Sequence, residues 1–92
     1  AKGILHASQI SVGEENNLNI RIHGETGSLY WRQEEPNTLI YKDGKGTHIL
    51  RTGVGELSDS TRAHLRIPPP GHPEGYLEAF GNLYRNFAKT LR

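Results

Sequence analysis

Leu18-Asn19-Ile20-Arg21-Ile22-His23 alternates apolar and polar side chains without a break. An extended chain points successive side chains to opposite faces, so this stretch reads as a strand with Leu18, Ile20 and Ile22 on one covered face. Gly24-Glu25-Thr26-Gly27 follows as a tight connection, its glycines free to take positive φ. Ser28 to Gln33 then carries Leu29, Tyr30 and Trp31, a β-prone aromatic cluster. Glu34-Glu35-Pro36-Asn37 interrupts the pattern and Thr38 to Lys42 resumes it. Asp43-Gly44-Lys45-Gly46 is a hairpin signal, and Thr47 to Thr52 completes another strand.

Toward the N-terminus, Gly3 to Ser11 is apolar on both parities, with Ile4 and Ile10 on one face and Leu5 and Ala7 on the other. Such a strand is covered on both sides or sits at a sheet centre. Val12 to Asn17 has turn composition and links it to the alternating stretch. Short hairpin links throughout imply an antiparallel meander of about five strands over residues 1–55.

Toward the C-terminus the character changes. Ser58-Asp59-Ser60-Thr61 offers capping side chains ahead of a short helical turn reaching Leu65. Pro68-Pro69-Pro70-Gly71 is a stiff extended spacer, so residues 56–72 form a short helix and a proline-rich linker. Pro73 suits the first position of a helix, and Glu74 and Glu78 suit its positive end. Leu77, Phe80, Leu83, Tyr84, Phe87 and Leu91 recur at three- and four-residue steps, giving an amphipathic helix over residues 73–92. The fold class expected is α+β, one meander sheet with one long helix packed on it.

Composition narrows the function. Eleven basic residues against ten acidic give a net charge of +1, which supplies no pull toward nucleic acid. There is no cysteine, so disulfides and thiolate metal sites are excluded. No apolar run approaches the roughly 20 residues of a membrane helix, and nothing reads as a signal peptide; the expectation is a cytoplasmic polypeptide. The chain contains no methionine and a strand-like pattern begins almost at once, at Gly3, which suggests a piece of a longer protein.

Three stretches carry a family resemblance. Ala7-Ser8-Gln9-Ile10 with Gly13-Glu14-Glu15-Asn16-Asn17, then Arg21 to Trp31, then Gly71-His72-Pro73-Glu74-Gly75-Tyr76-Leu77-Glu78-Ala79-Phe80, are similar, in order, to segments of the C-terminal domain of Gfo/Idh/MocA oxidoreductases. The resemblance implies a parent enzyme whose N-terminal Rossmann domain binds NAD or NADP. It also implies a sugar or polyol substrate, a C-terminal domain forming part of the substrate pocket, and a sheet that packs against another subunit in a homo-oligomer. It implies a catalytic lysine in a Glu-Lys-Pro motif and an upstream aspartate and histidine. This chain has no Glu-Lys-Pro and no Gly-x-Gly-x-x-Gly opening a helix, so no catalytic or cofactor-binding residue is assigned to it, and alone it should be inactive. A stand-alone ligand-binding or protein-interaction module is the other reading.

Two residues are candidates for substrate contact. His72, between the proline spacer and Pro73, reads as a helix cap or solvent-facing residue or, on the resemblance, as a polar contact in the parent's pocket. Gln9, on the doubly apolar strand, reads as a structural glutamine or as a polar contact on the substrate-facing sheet surface. His6, His23, His48, His64 and His72 are too scattered for a metal motif. Tyr30 and Trp31 beside Arg21 and Arg32 read as a stacking platform for bases or sugars or, since no basic stripe accompanies them, as core or interface aromatics.

Overall fold

The computed structural model describes all 92 residues. The alternating stretch becomes β1 (Asn19–His23), followed by β2 (Gly27–Arg32), β3 (Thr38–Asp43) and β4 (Gly46–Arg51). They form one antiparallel sheet in the order β1-β2-β3-β4. The register sorts the two faces. Ile20 stands beside Trp31, Trp31 beside Leu39 and Leu39 beside Leu50, with Ile22, Leu29, Tyr41 and His48 in the next row of the same face. The opposite face carries Arg21, Tyr30, Ile40 and Ile49, flanked by Arg32, Lys42 and Arg51. All four strand cations thus share one face with no strand carboxylate among them.

Two glycines are fixed by close approach. A Cβ on Gly27 would sit 2.9 Å from the Tyr41 ring, so the ring covers bare backbone there. Gly53 has φ +80°, and a Cβ on it would lie 2.7 Å from the Pro68 carbonyl oxygen. The proline run therefore crosses directly over Gly53, which brings the linker back to the end of the sheet.

Helix α1 (Asp59–His64) is capped as its sequence implies: the Ser58 hydroxyl accepts the Thr61 N–H at 3.2 Å. Helix α2 spans Tyr76–Thr90. It starts after Pro73 and Glu74, because outside partners take the main-chain N–H and the carboxylate of Glu74. Asn37 Oδ1 accepts the Glu74 N–H at 3.2 Å, and the Glu74 carboxylate accepts the N–H groups of Arg66 and Ile67. Glu78 supplies the helix start instead, accepting the Gly75 N–H at 2.9 Å. That bond holds the Glu78 carboxyl below its usual range.

The sheet has four strands, where about five were expected. Residues 1–18 contain no strand. A strand exists only where a neighbour completes its hydrogen-bond ladder, and Gly3 to Ser11 has none. Its bonds are local: the Ile10 N–H reaches the Ser8 hydroxyl, and the Glu14 N–H reaches the Ser11 carbonyl. Ile4, Leu5, Ile10 and Val12 are 89–101% exposed.

Helix α2 was expected on the sheet and instead stands off it. No residue of the chain is buried, and the apolar stripe from Tyr76 to Leu91 remains 54–72% exposed. Amphipathicity identifies a helix but does not choose its partner, and only neighbouring strands are in extensive contact here. Polar bonds place α2. Asn82 accepts from Arg66 Nε and donates to the His64 carbonyl, both at 2.7 Å, tying α2 to the end of α1.

Candidate functional site

An open cleft of about 610 Å³ lies between the sheet end and the two helices. Leu18 and Trp31 line its sheet side, Tyr76, Phe80 and Leu83 its helix side, and Asn37, Glu74 and Asn82 contribute polar groups. Its volume suits a small organic molecule, and mixed apolar and polar walls are the usual composition of such sites.

The turn between β2 and β3 forms one wall. The Trp31 indole N–H donates to the Pro36 carbonyl at 3.0 Å, which locks the turn to its own strand. A Cβ on Gly75 would lie 3.7 Å from Pro36 Cγ, so the proline ring rests on the entrance to α2. Asn37 is the junction. Its main-chain carbonyl accepts the Thr52 N–H at 3.0 Å, its Nδ2 donates to the His72 carbonyl at 3.1 Å, and its Oδ1 accepts from Glu74.

His72 is not among the residues that line the cleft, whereas Glu74 and Gly75, two and three positions further along the chain, are. Its Nδ1 is 3.1 Å from the Pro70 carbonyl oxygen. A carbonyl only accepts, so in the neutral ring this bond puts the proton on Nδ1 and leaves Nε2 as an acceptor. Gln9 lies in the irregular, exposed N-terminal segment rather than on a strand. No hydrogen bond joins Gln9 to His72, and neither lines the cleft.

Tyr30 and Trp31 are adjacent in β2 and point to opposite faces, so they form no common stacking platform. The Arg21 guanidinium lies 4.6 Å over the Tyr30 ring on the face away from Trp31. No three His, Asp or Glu side chains converge as a metal site. No helix is long and apolar enough to cross a membrane. Asn37 was missed in sequence because Pro36-Asn37 shows only a break between strands; the one signal was an amide side chain beside proline in a turn.

No protein-family model matches the chain. It is 35% identical to an uncharacterized oxidoreductase, YfiI, of Bacillus subtilis, over 99% of its own length and 23% of that protein. Among solved structures it resembles an oxidoreductase of Sinorhizobium meliloti, with 40% identity, a TM-score of 0.80, and coverage of 90% of this chain and 23% of the other. An inositol dehydrogenase homolog of Azotobacter vinelandii, complexed with NADH and myo-inositol, matches with 38% identity and a TM-score of 0.77 over 88% of this chain and 21% of that one. The chain thus spans about a quarter of the length of the relatives it matches, and those relatives are oxidoreductases.

Proposed function

We propose that this chain is the C-terminal substrate-pocket and oligomerisation portion of a Gfo/Idh/MocA-type oxidoreductase. The intact enzyme exchanges a hydride between a nicotinamide coenzyme, NAD or NADP, and a sugar or polyol, in the cytoplasm. The likeness to an inositol dehydrogenase homolog complexed with NADH and myo-inositol carries this reading. The coenzyme supplies the hydride chemistry; the residues present here recognise substrate.

His72 is the residue assigned to that recognition, with Gln9 as a second candidate. With Nδ1 bonded to the Pro70 carbonyl, Nε2 of the neutral ring is an acceptor, which suits a hydroxyl hydrogen of a polyol. It orients substrate and abstracts no proton. The sheet, whose side chains stay at least partly exposed throughout, is the surface we assign to a second subunit.

The test uses the full-length parent with NAD⁺ and myo-inositol, following NADH formation by absorbance. Turnover is expected, and His72→Ala should raise KM for the polyol several-fold, about 1–2 kcal/mol for one lost hydrogen bond. Unchanged kinetics with a lowered melting temperature would make His72 a structural cap only. Failure to reduce NAD⁺ or NADP⁺ with any sugar or polyol would remove the enzymatic reading and favour a stand-alone binding module.

A further inference from the structure

We propose that Asn37 is a positioning residue that presents His72 to the substrate, an inference that rests on the reading of His72 as a substrate contact. The geometry is a small piece of sheet made by one side chain. In an extended backbone, the carbonyl of one residue and the N–H two residues later point to the same side. A neighbouring parallel strand would fill both with one residue's backbone. Here the Asn37 carboxamide fills both, donating to the His72 carbonyl at 3.1 Å and accepting the Glu74 N–H at 3.2 Å. Pro73, between them, has no N–H to offer elsewhere.

The base of the clamp is itself held. Asn37 is half-buried, and its own carbonyl takes both the N–H and the hydroxyl of Thr52, at 3.0 and 3.3 Å. Trp31 fixes the preceding Pro36 carbonyl. His72 is therefore restrained three times, at its carbonyl by Asn37, at its N–H by the Pro69 carbonyl at 3.4 Å, and at its ring by the Pro70 carbonyl. With both ends set, the direction of Nε2 follows. Removing the backbone restraint should loosen the ring's aim without touching hydride transfer.

Asn37→Asp separates the two bonds. The variant keeps an acceptor for the Glu74 N–H, loses the donor to His72, and faces a carboxylate oxygen toward the carbonyl. In the full-length parent, assayed with NAD⁺ and myo-inositol, it should raise KM for the polyol roughly five-fold, the weight of one hydrogen bond. The KM for NAD⁺ should stay unchanged and kcat nearly so. In a His72→Ala background the same change should add less than about two-fold, because both act through one imidazole. Effects that multiply fully would overturn the proposal, as would an unchanged polyol KM in Asn37→Asp when His72→Ala raises it.

If His72→Ala itself leaves KM unchanged, the substrate reading has failed. Positioning is then decided by the His72 imidazole resonances of ¹³C-histidine-labelled enzyme. A shift between wild type and Asn37→Asp supports it, and coincident resonances end it. Should Asn37→Asp fail to fold, Asn37→Gln is used instead. It keeps both groups one methylene further out, and the proposal requires it to raise polyol KM less than Asn37→Ala does.

Discussion

The imidazole Nε2 of His48 lies 3.1 Å from Oδ1 of Asp43, across the hairpin joining β3 to β4. The same carboxylate oxygen accepts the Lys45 N–H at 2.8 Å inside the turn. The His48 ring is also stacked on Tyr41, with centroids 5.6 Å apart. One carboxylate thus closes the turn and anchors the first cross-strand ring.

The Asp43 carboxyl is consequently held below its ordinary value, first by the bond from His48 and next by the Lys45 N–H. The unfolded chain takes up this proton more readily than the folded one. The stabilisation is complete above the unfolded-state carboxyl pKa and disappears as pH falls through the lower, folded-state value. The ¹³C shift of the Asp43 carboxyl, followed against pH, should show a midpoint below that of an unperturbed aspartate. His48→Ala should move that midpoint upward; an unmoved midpoint would mean the imidazole contributes nothing.

Gly53 and Gly55 share a positive φ, +80° and +78°, but differ in surroundings. Nothing lies within 4 Å of a Cβ on Gly55, whereas one on Gly53 meets the proline run. Gly55→Ala should cost about 1 kcal/mol from backbone conformation alone. Gly53→Ala should cost about 3 kcal/mol, because the proline run must shift as well. Urea unfolding of the parent protein measures both, and equal losses would show that the linker does not depend on this contact.

The isolated 92-residue chain should self-associate. Leu18, Ile20 and Ile22 on β1 and its lead-in are 54–59% exposed, and the whole apolar stripe of α2 is open. Soluble monomers seldom leave such surface uncovered. Light scattering that finds a clean monomer of 10.3 kDa at low salt would contradict this.

The same chain should leave NADH fluorescence unchanged on titration. It offers no glycine-rich turn opening a helix to hold a pyrophosphate: Gly44-Lys45-Gly46 is a hairpin turn, and Gly53-Val54-Gly55 lies in a loop. An enhanced, blue-shifted nicotinamide signal at micromolar chain would overturn the assignment of coenzyme binding to another part of the enzyme.

Local patterns were legible wherever the structure is local. Alternation from Leu18 to His23, the Asp43–Gly46 turn, the Ser58 cap and the α2 stripe all recur in the folded chain. Gly3 to Ser11 misled because its composition suits a strand, while a strand also requires a ladder partner, which composition does not encode. The α2 start misled because Pro73 and Glu74 have good first-turn chemistry, but Glu74 is claimed by Asn37, Arg66 and Ile67. The clamp was invisible for the same reason. It joins residues 35 and 37 positions apart, through a side chain whose local role is only to turn the chain.

That separation has a kinetic meaning. The three strand connections are three, five and two residues long, so each ladder closes over a short loop at small entropic cost. Such neighbour-to-neighbour pairing belongs to the fast end of folding, and β1 to β4 can zip in sequence as they leave the ribosome. Asn37 then waits, already set in its turn, until His72 and Glu74 have been synthesised. Capture of the helix entrance, which closes a loop of more than thirty residues, is therefore expected after the sheet. Mutations in this clamp should therefore act on unfolding, while the rate at which the sheet first appears stays the same.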